Sequence, residues 1–539
     1  MLTGVGESQT VRSAVFDVCR HYGLTTWFGN PGSTEIPLLA DLPDDIRYVL
    51  GLHENAVVAA AAGFAIGTES AALVSLHTTA GLGNAVSAIA TARVNRAPLV
   101  VLVGQQDRRH LLAEPFLTGR LGSLAGDYVL DVLNPPRPQD VPTCIAQARH
   151  TAIAGRGPVV VIVPMGDWDE PMDATVCTAP SYVASSSGVS AGDVERAVEV
   201  LSDARAPALI TGAGADSADT WAALVSLADR LDCPVFHEPF TSRAGFPQDS
   251  PRFAGFLPAG RAALRERLAP YDVVLVVGAA MLRQYHFESG PLVAEGTRVV
   301  VVSDDPAEVR RSPADVGVIA PPASAVAAID AGLSAGSATP GRPSPTGIAD
   351  RLRLRLRADG SALTPELLFG QLATRVAAGT VIVEESPSSR DALQLLVPTR
   401  EPGGFLSAAM GGLGFGVPAA IGLRMARPDR PVLAVIGDGS SIYCIQALWT
   451  AVRYDVGVVF FVMENGHYLV MERLTERRGK APWPSLSGVS VAGLARGFGV
   501  PTVEVRTPEE VTALLDDVIP GLADRNEPLL VSVALAASS

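Results

Sequence analysis

Short runs of Val, Ile and Leu, bounded by Gly, Pro or Asp, recur along the chain, and stretches of helical length, many of them Ala-rich, separate them. The clearest runs are residues 72–76, 99–103, 159–163, 209–211, 273–277, 299–302, 380–383, 432–436, 458–463 and 529–533. A strand with one wet face alternates apolar and polar residues, whereas these are apolar throughout, as strands covered on both faces are. Their alternation with helices predicts parallel sheets of the doubly wound α/β class. Two segments break the rhythm. Residues 181–190 are Ser-rich, and residues 332–345 are rich in Gly, Ser and Pro, as flexible connections are. They divide the chain into three expected α/β units, 1–180, 190–332 and 360–539.

Composition narrows the partners. A chain of 539 residues suits several domains of ~150–200 residues. Apolar residues make up 48%, enough for large cores, and a net charge of −14 argues against nucleic acid or an anionic membrane surface. Lys480 is the single lysine, a bias that carries no mechanism. Five scattered cysteines without a CxxC spacing suggest neither a disulfide framework nor a zinc site, which fits a reducing cytoplasm. No basic-then-apolar leader and no apolar run near ~20 residues is visible, so a soluble cytoplasmic protein is expected.

Near the carboxyl end, the run 432–436 meets Gly437-Asp438-Gly439-Ser440-Ser441, ahead of an expected helix over 442–453. Glycines let the backbone approach an anion, and N–H groups at a helix start favour phosphate. Asp438 offers a hard oxygen, and the next apolar run delivers Asn465. Mg²⁺ takes oxygen ligands and shares them with phosphates. Asp438, Asn465, a backbone carbonyl near His467 and two phosphate oxygens would nearly complete an octahedron. Taken alone, these residues fit an ordinary turn and a plain asparagine equally well.

Near the amino end, Phe28–Glu35 (FGNPGSTE) is a tight turn with the hydroxyl of Ser33 at its tip. Glu54 opens an Ala-rich helix running to about Gly67, where a carboxylate could simply complement the helix dipole. His77 follows the run 72–76, at the carboxyl end where doubly wound folds place ligands. Gly212-Ala213-Gly214 and Gly412-Leu413-Gly414 have the look of a dinucleotide fingerprint, but neither completes it, so no nicotinamide role is expected.

Together these residues resemble the thiamine-diphosphate-dependent 2-oxo acid decarboxylases, most closely the benzoylformate decarboxylase branch. The resemblance spans nearly the whole chain and is carried by FGNPGSTE (28–35), LHTTAGLGNA (76–85), VGQQDRR (103–109), GGLGFGVPAAIG (411–422), VIGDGS (435–440) and ENG (464–466). It implies a pyrimidine-binding, a central and a diphosphate-binding domain. It also implies thiamine diphosphate with Mg²⁺ (Ca²⁺ as an alternative) held between two subunits, hence a homo-oligomer of at least two and usually four chains. By resemblance Glu54 meets the pyrimidine, Gly411 and Leu413 hold it, and Asp438, Asn465 and the His467 carbonyl take the metal. Ser386, Ser388, Gly437, Gly439, Ser440, Tyr468 and Leu469 complete the cofactor contacts. Ser33, His77 and Asn30 face a 2-oxo acid.

The chemistry implied is proton traffic around a bound heterocycle. Glu54 would share a proton with the pyrimidine ring, a role suited to an apolar setting that favours the protonated carboxyl. Leu413 would act as a wedge, His77 would serve the developing alkoxide, and Ser33 the substrate carboxylate. The expected reaction is non-oxidative decarboxylation of an aromatic or bulky 2-oxo acid to its aldehyde. The alternative is carboligation of the acetolactate synthase kind. A cofactor-binding relative without turnover is disfavoured by the presence of both Glu54 and His77.

Departures from the family pattern concern the substrate. In Leu282–Phe287 (LRQYHF), Tyr285 stands where a second active-site histidine is expected, with His286 one position along; the reading favours His286. Ser407 and Leu474 replace aromatics, while Phe116, Leu117, Val470 and Met471 keep an apolar lining. Glu464 stands where Asn is usual, and Pro387 separates the two serines.

Overall fold

A computed structural model describes residues 9–173, 183, 188–281, 283–334, 362–476 and 478–536. Much of both Ser- and Gly-rich segments lies outside these residues, as do Cys177 and Leu282. Among the described residues three six-stranded sheets account for the strands, and every pairing within them is parallel.

The first sheet holds β1 (Thr26–Asn30), β2 (Arg47–Leu50), β3 (Ala72–Leu76), β4 (Leu99–Gln105), β5 (Asp131–Leu133) and β6 (Pro158–Pro164), in the order β2-β1-β3-β4-β6-β5. The second holds β7 (Pro207–Thr211), β8 (Val235–His237), β9 (Phe253–Phe256), β10 (Val273–Val277), β11 (Arg298–Ser303) and β12 (Val316–Ile319), in the order β12-β11-β10-β7-β8-β9. In the third are β13 (Val381–Glu385), β14 (Phe405–Ser407), β15 (Val432–Gly437), β16 (Val458–Glu464), β17 (Thr502–Val505) and β18 (Leu529–Ala534), ordered β14-β13-β15-β16-β18-β17. The outer two sheets share one topology and the middle sheet has another.

Each apolar run expected as a strand is one. The central strands β3, β4, β10 and β13 are buried at every position, as covering by helices on both faces requires. In the outer sheets the strand order reverses between β1 and β3 and again between β13 and β15. The carboxyl ends flanking such a reversal form a crevice in open α/β sheets.

One helix departs from expectation. Instead of a single helix over 442–453, a short helix Asp438–Ile442 begins at the aspartate, and a second, Ala447–Arg453, follows after a break. The first turn tightens where the Tyr443 N–H takes the Ser440 carbonyl, and Ser441 Oγ donates to the Asp438 carbonyl at 2.7 Å. Asp438 therefore sits on the first turn of a helix, not in a loop ahead of one.

The helices Glu54–Thr68 and Gly416–Ala426 bind the first and third domains together. Both are nearly all buried and made of small residues. A methyl on Gly63 would run into the Ala419 carbonyl, and one on Gly422 into the Ala60 carbonyl, so the two backbones touch. Among the described residues no helix is long and apolar enough to cross a membrane.

Candidate active site

Two clusters stand at the strand reversals of the outer sheets. In the first domain, β1 ends in Asn30 and Glu54 opens the helix after β2, with His53 as its N-cap. Glu54 is only 8% exposed, and Asn30 Nδ2 donates to its Oε1 at 3.2 Å while Asn84 Nδ2 donates to its Oε2 at 3.0 Å. Two amide donors thus meet the carboxylate, beside the buried Ala-rich helix that it opens. Asn84 was not singled out from the sequence, although it stands within the quoted 76–85 stretch.

His77 caps β3 and starts the helix Thr78–Val94, and Thr78 takes a φ of 29°, a strained value for a β-branched residue. Its Nδ1 lies 3.0 Å from Glu35 Oε2 and 2.9 Å from Thr34 Oγ1. The Thr34 hydroxyl donates to Glu35 Oε1 at 2.5 Å, so its hydrogen is already committed. The network therefore assigns the proton to Nδ1, leaving Nε2 for chemistry. Glu35 also accepts the Gly32 N–H at 2.8 Å, and a side chain at Gly32 would collide with the imidazole. Glu35 had no role in the sequence reading; its signal is a buried acid at the end of the glycine turn. Ser33, at the tip of that turn, is exposed.

In the third domain, β13, β15 and β16 bring Ser386, Ser388, Asp438 and Asn465 together. Asp438 Oδ2 accepts the N–H groups of Asn465 at 3.1 Å and Gly466 at 2.7 Å, and Oδ1 accepts that of Gly439 at 2.8 Å. Asn465 Oδ1 accepts the His467 N–H at 2.9 Å, and its Nδ2 donates to Ser388 Oγ at 3.3 Å. Ser386 Oγ is buried without a hydrogen-bond partner among the described residues. A side chain on Gly439 would meet Leu486 and the Tyr468 ring, so space there is reserved for something small. Hard oxygens, a spare hydroxyl and a glycine turn fit a divalent cation bridged to a diphosphate. Among the described residues no three His, Cys, Asp or Glu side chains cluster as ligands. Burial pushes the Glu464 carboxyl up, and the Ser532 hydrogen bond opposes it.

Behind this cluster, Glu385 accepts the N–H groups of Gly414 at 2.5 Å and Phe415 at 2.8 Å, and that of Gly416. It thereby fixes the turn that carries Leu413, in which Gly411 and Gly414 have φ of 68° and 93°. Burial drives the Glu385 carboxyl up to about 7, against the pull of those N–H groups. From the first domain, Asn55, next to Glu54, reaches the Gly414 carbonyl at 3.5 Å and Cys444 Sγ at 3.2 Å.

The substrate-side candidates are less gathered. Phe116 is 87% exposed, Leu117 has a φ of 70°, and Tyr285 is 61% exposed against Phe240 and His286. His286 is exposed too, so the single chain does not select between them. Arg283 ties their loop down through Glu238 Oε1 at 2.8 Å and the Ala409 carbonyl at 3.3 Å. The helix Leu469–Glu476 carries Leu469, Val470, Met471 and Leu474 with no residue buried. Ser407 is buried, its hydroxyl accepting from Arg390 at 3.1 Å.

The chain matches three models of thiamine pyrophosphate enzymes: the N-terminal TPP binding domain over 9–122, the central domain over 194–329 and the C-terminal TPP binding domain over 388–533. It is 37% identical to benzoylformate decarboxylase of Pseudomonas aeruginosa over 535 residues, covering 97% of this chain and 98% of that protein. The chain belongs to the thiamine-diphosphate-dependent 2-oxo acid decarboxylases. The structure of the 4-hydroxybenzoylformate decarboxylase of Rhodococcus jostii RHA1 superposes with a TM-score of 0.90 at 34% identity, covering 98% of this chain and all of that one (100%). Benzoylformate decarboxylase from Polynucleobacter necessarius does so with a TM-score of 0.90 at 28% identity over 98% of this chain and 100% of its own. An acetolactate synthase large subunit of Parasynechococcus marenigrum is 27% identical over 95% of this chain and 86% of its own. The glycine turn with its buried acid and the Asp438–Asn465 knot thus belong to a carboxy-lyase that uses thiamine diphosphate.

Proposed function

We propose that this decarboxylase converts an aromatic or bulky apolar 2-oxo acid to the aldehyde and CO₂, with Mg²⁺ (or Ca²⁺) at Asp438, Asn465 and the His467 carbonyl. The observation that carries the reading is the pairing of a proton-bearing His77, oriented by Glu35, with a buried Glu54 on the same strand reversal. Bound thiamine diphosphate supplies the nucleophilic carbon and the electron sink for CO₂ loss. Ser386, Ser388, Ser440 and the glycines 437 and 439 face its diphosphate, and Leu413, Gly411, Tyr468 and Leu469 its rings. Glu54 holds a proton between its carboxylate and the heterocycle, its own position fixed by Asn30 and Asn84. His77 Nε2 exchanges a proton with the substrate oxygen, and Ser33 binds the substrate carboxylate. His286, with Tyr285 beside it, serves the later protonation from the central domain.

Support for an apolar side chain on the substrate comes from Phe116, Leu117, Val470, Met471 and Leu474, and from the substrates named in the relatives above. Ser407, tied to Arg390, widens the wall where an aromatic was expected. The exposed Met471 and the half-buried Leu469, Val470 and Leu474 of the helix Leu469–Glu476, together with exposed Leu112 and Phe116, favour a homo-oligomer, a dimer or tetramer, in which a second copy covers them. The cytoplasm, where thiols stay reduced, suits the four free cysteines described. Carboligation is the second reading, and it is favoured only if the exposed Tyr285–His286 pair fails to deliver a proton. A CO₂-release screen across 2-oxo acids with Mg²⁺ and thiamine diphosphate decides: aldehyde supports the proposal, acyloin the alternative, and no CO₂ from any aryl or branched 2-oxo acid overturns both.

A further inference from the structure

Behind the Glu35–His77 pair lie two buried hydroxyls that the decarboxylation chemistry leaves unused. Tyr48 stands on β2 and Ser75 on β3, with β1 between them. Gly29 of β1 pairs with Ser75, and a methyl on Gly29 would run into the Tyr48 phenol and the Ser75 carbonyl. The glycine thus lets the phenol cross one strand and end beside Ser75. Both hydroxyl oxygens are buried, and neither meets a partner at hydrogen-bonding geometry among the described residues. Buried hydroxyls left so are uncommon and call for a partner.

Glu35 offers the acceptor. It is 3% exposed, and a methyl on Gly104 of β4 would run into its Oε1, so the carboxylate lies against the sheet. Its two oxygens provide about four acceptor sites. Thr34 takes one on Oε1, while the Gly32 N–H and His77 take two on Oε2, which leaves Oε1 with one to spare. Ser75, Thr34 and Glu35 together line a cavity of about 10 Å³, the size of a single water. Its other walls, from the helix Ile36–Leu39, β4, β6 and Trp168, bring no charge. The titratable groups that face Glu35 are His77 from the end of β3 and Tyr48 from β2, with Tyr454 behind Tyr48. Burial drives the Tyr48 phenol up and the Glu35 charge adds to this, while the Ser75 hydroxyl opposes it. The phenol therefore keeps its proton and can only hand a hydrogen bond onward.

We propose that one water fills this cavity and completes a chain of donors, Tyr48 to Ser75 to water to Glu35, which holds the carboxylate in its charged form. Tyr48 and Ser75 are then positioning residues: they touch no substrate and act on His77 through Glu35. The inference rests on the reading of His77 as the proton carrier.

Two measurements test it. A high-resolution crystal structure of the protein should show one water within hydrogen-bonding reach of both Ser75 Oγ and Glu35 Oε1, and a dry cavity overturns the proposal. The second is the pH profile of the holoenzyme. Hydrogen bonds to an ionised carboxylate favour that form, so Ser75→Ala and Tyr48→Phe, which remove only hydroxyls, should let Glu35 take up a proton at higher pH. The acid limb of kcat/KM should rise by about one pH unit in Ser75→Ala, the value of one hydrogen bond to a charged group, and by less in Tyr48→Phe. A limb that stays in place in Ser75→Ala overturns the proposal even if turnover falls, because a packing defect alone does not move it. Should Ser75→Ala misfold, an unmoved limb in Tyr48→Phe does the same. His77→Ala keeps the two readings apart. Unchanged turnover in that variant sinks the assignment of His77 itself, whereas lost turnover beside unmoved limbs in the hydroxyl variants sinks only this inference.

Discussion

Glu35 Oε2 stands 3.0 Å from His77 Nδ1 and holds the imidazole in the tautomer that leaves Nε2 free. Removing the carboxylate charge while keeping its shape should therefore harm catalysis without harming the fold. Glu35→Gln is expected to lower kcat by about 10², the usual worth of a general acid–base group, with Glu35→Asp recovering part of it. Steady-state kinetics across pH check this, since a structural role alone would leave the shape of the profile unchanged.

Glu54→Ala should cut turnover by ~10² or more, and a rate near the wild type would show the carboxylate misassigned. Asn84→Ala, which removes only one of its two donors, should cost ~10-fold in kcat with little change in KM. Measuring the two variants side by side separates the proton carrier from the residue that positions it.

If Asp438 holds the metal as proposed, Asp438→Asn should raise the Mg²⁺ concentration needed for half activity and weaken thiamine diphosphate with it. Exhaustive chelation followed by cofactor titration is the measurement. Full turnover after chelation would exclude a metal at this knot.

How far could this be read in advance? The strands were legible because a doubly wound sheet writes itself as unbroken Val, Ile and Leu. The placements of Asp438, Asn465, Glu54 and His77 were legible because each stands where a strand ends or a helix begins. Glu35, Asn84 and Glu385 were not, because their work is done through hydrogen bonds to groups far along the chain: Glu35 to His77, Asn84 to Glu54, Glu385 to the backbone of 414–416. The break in the helix after Asp438 was equally hidden, since it depends on which carbonyl the Tyr443 N–H selects.

Glu385 gives a pH dependence. Below about pH 4.5 the folded and unfolded chains both carry its proton. Between 4.5 and about 7 the unfolded chain ionises while the folded one keeps the proton, so stability falls as pH rises, by about 3 kcal/mol at most, and then levels off. Thermal midpoints of Glu385→Gln should vary less over this window than those of the wild type.

The contact of Gly63 with Ala419 and of Gly422 with Ala60 has a mechanical result. Two backbones in direct touch leave no slack, so the end of the chain that greets the heterocycle and the end that grips a charged tail are yoked like the arms of a balance. Were those arms to serve different cofactors in the proposed assembly, a shift at one centre would be passed on to its neighbour.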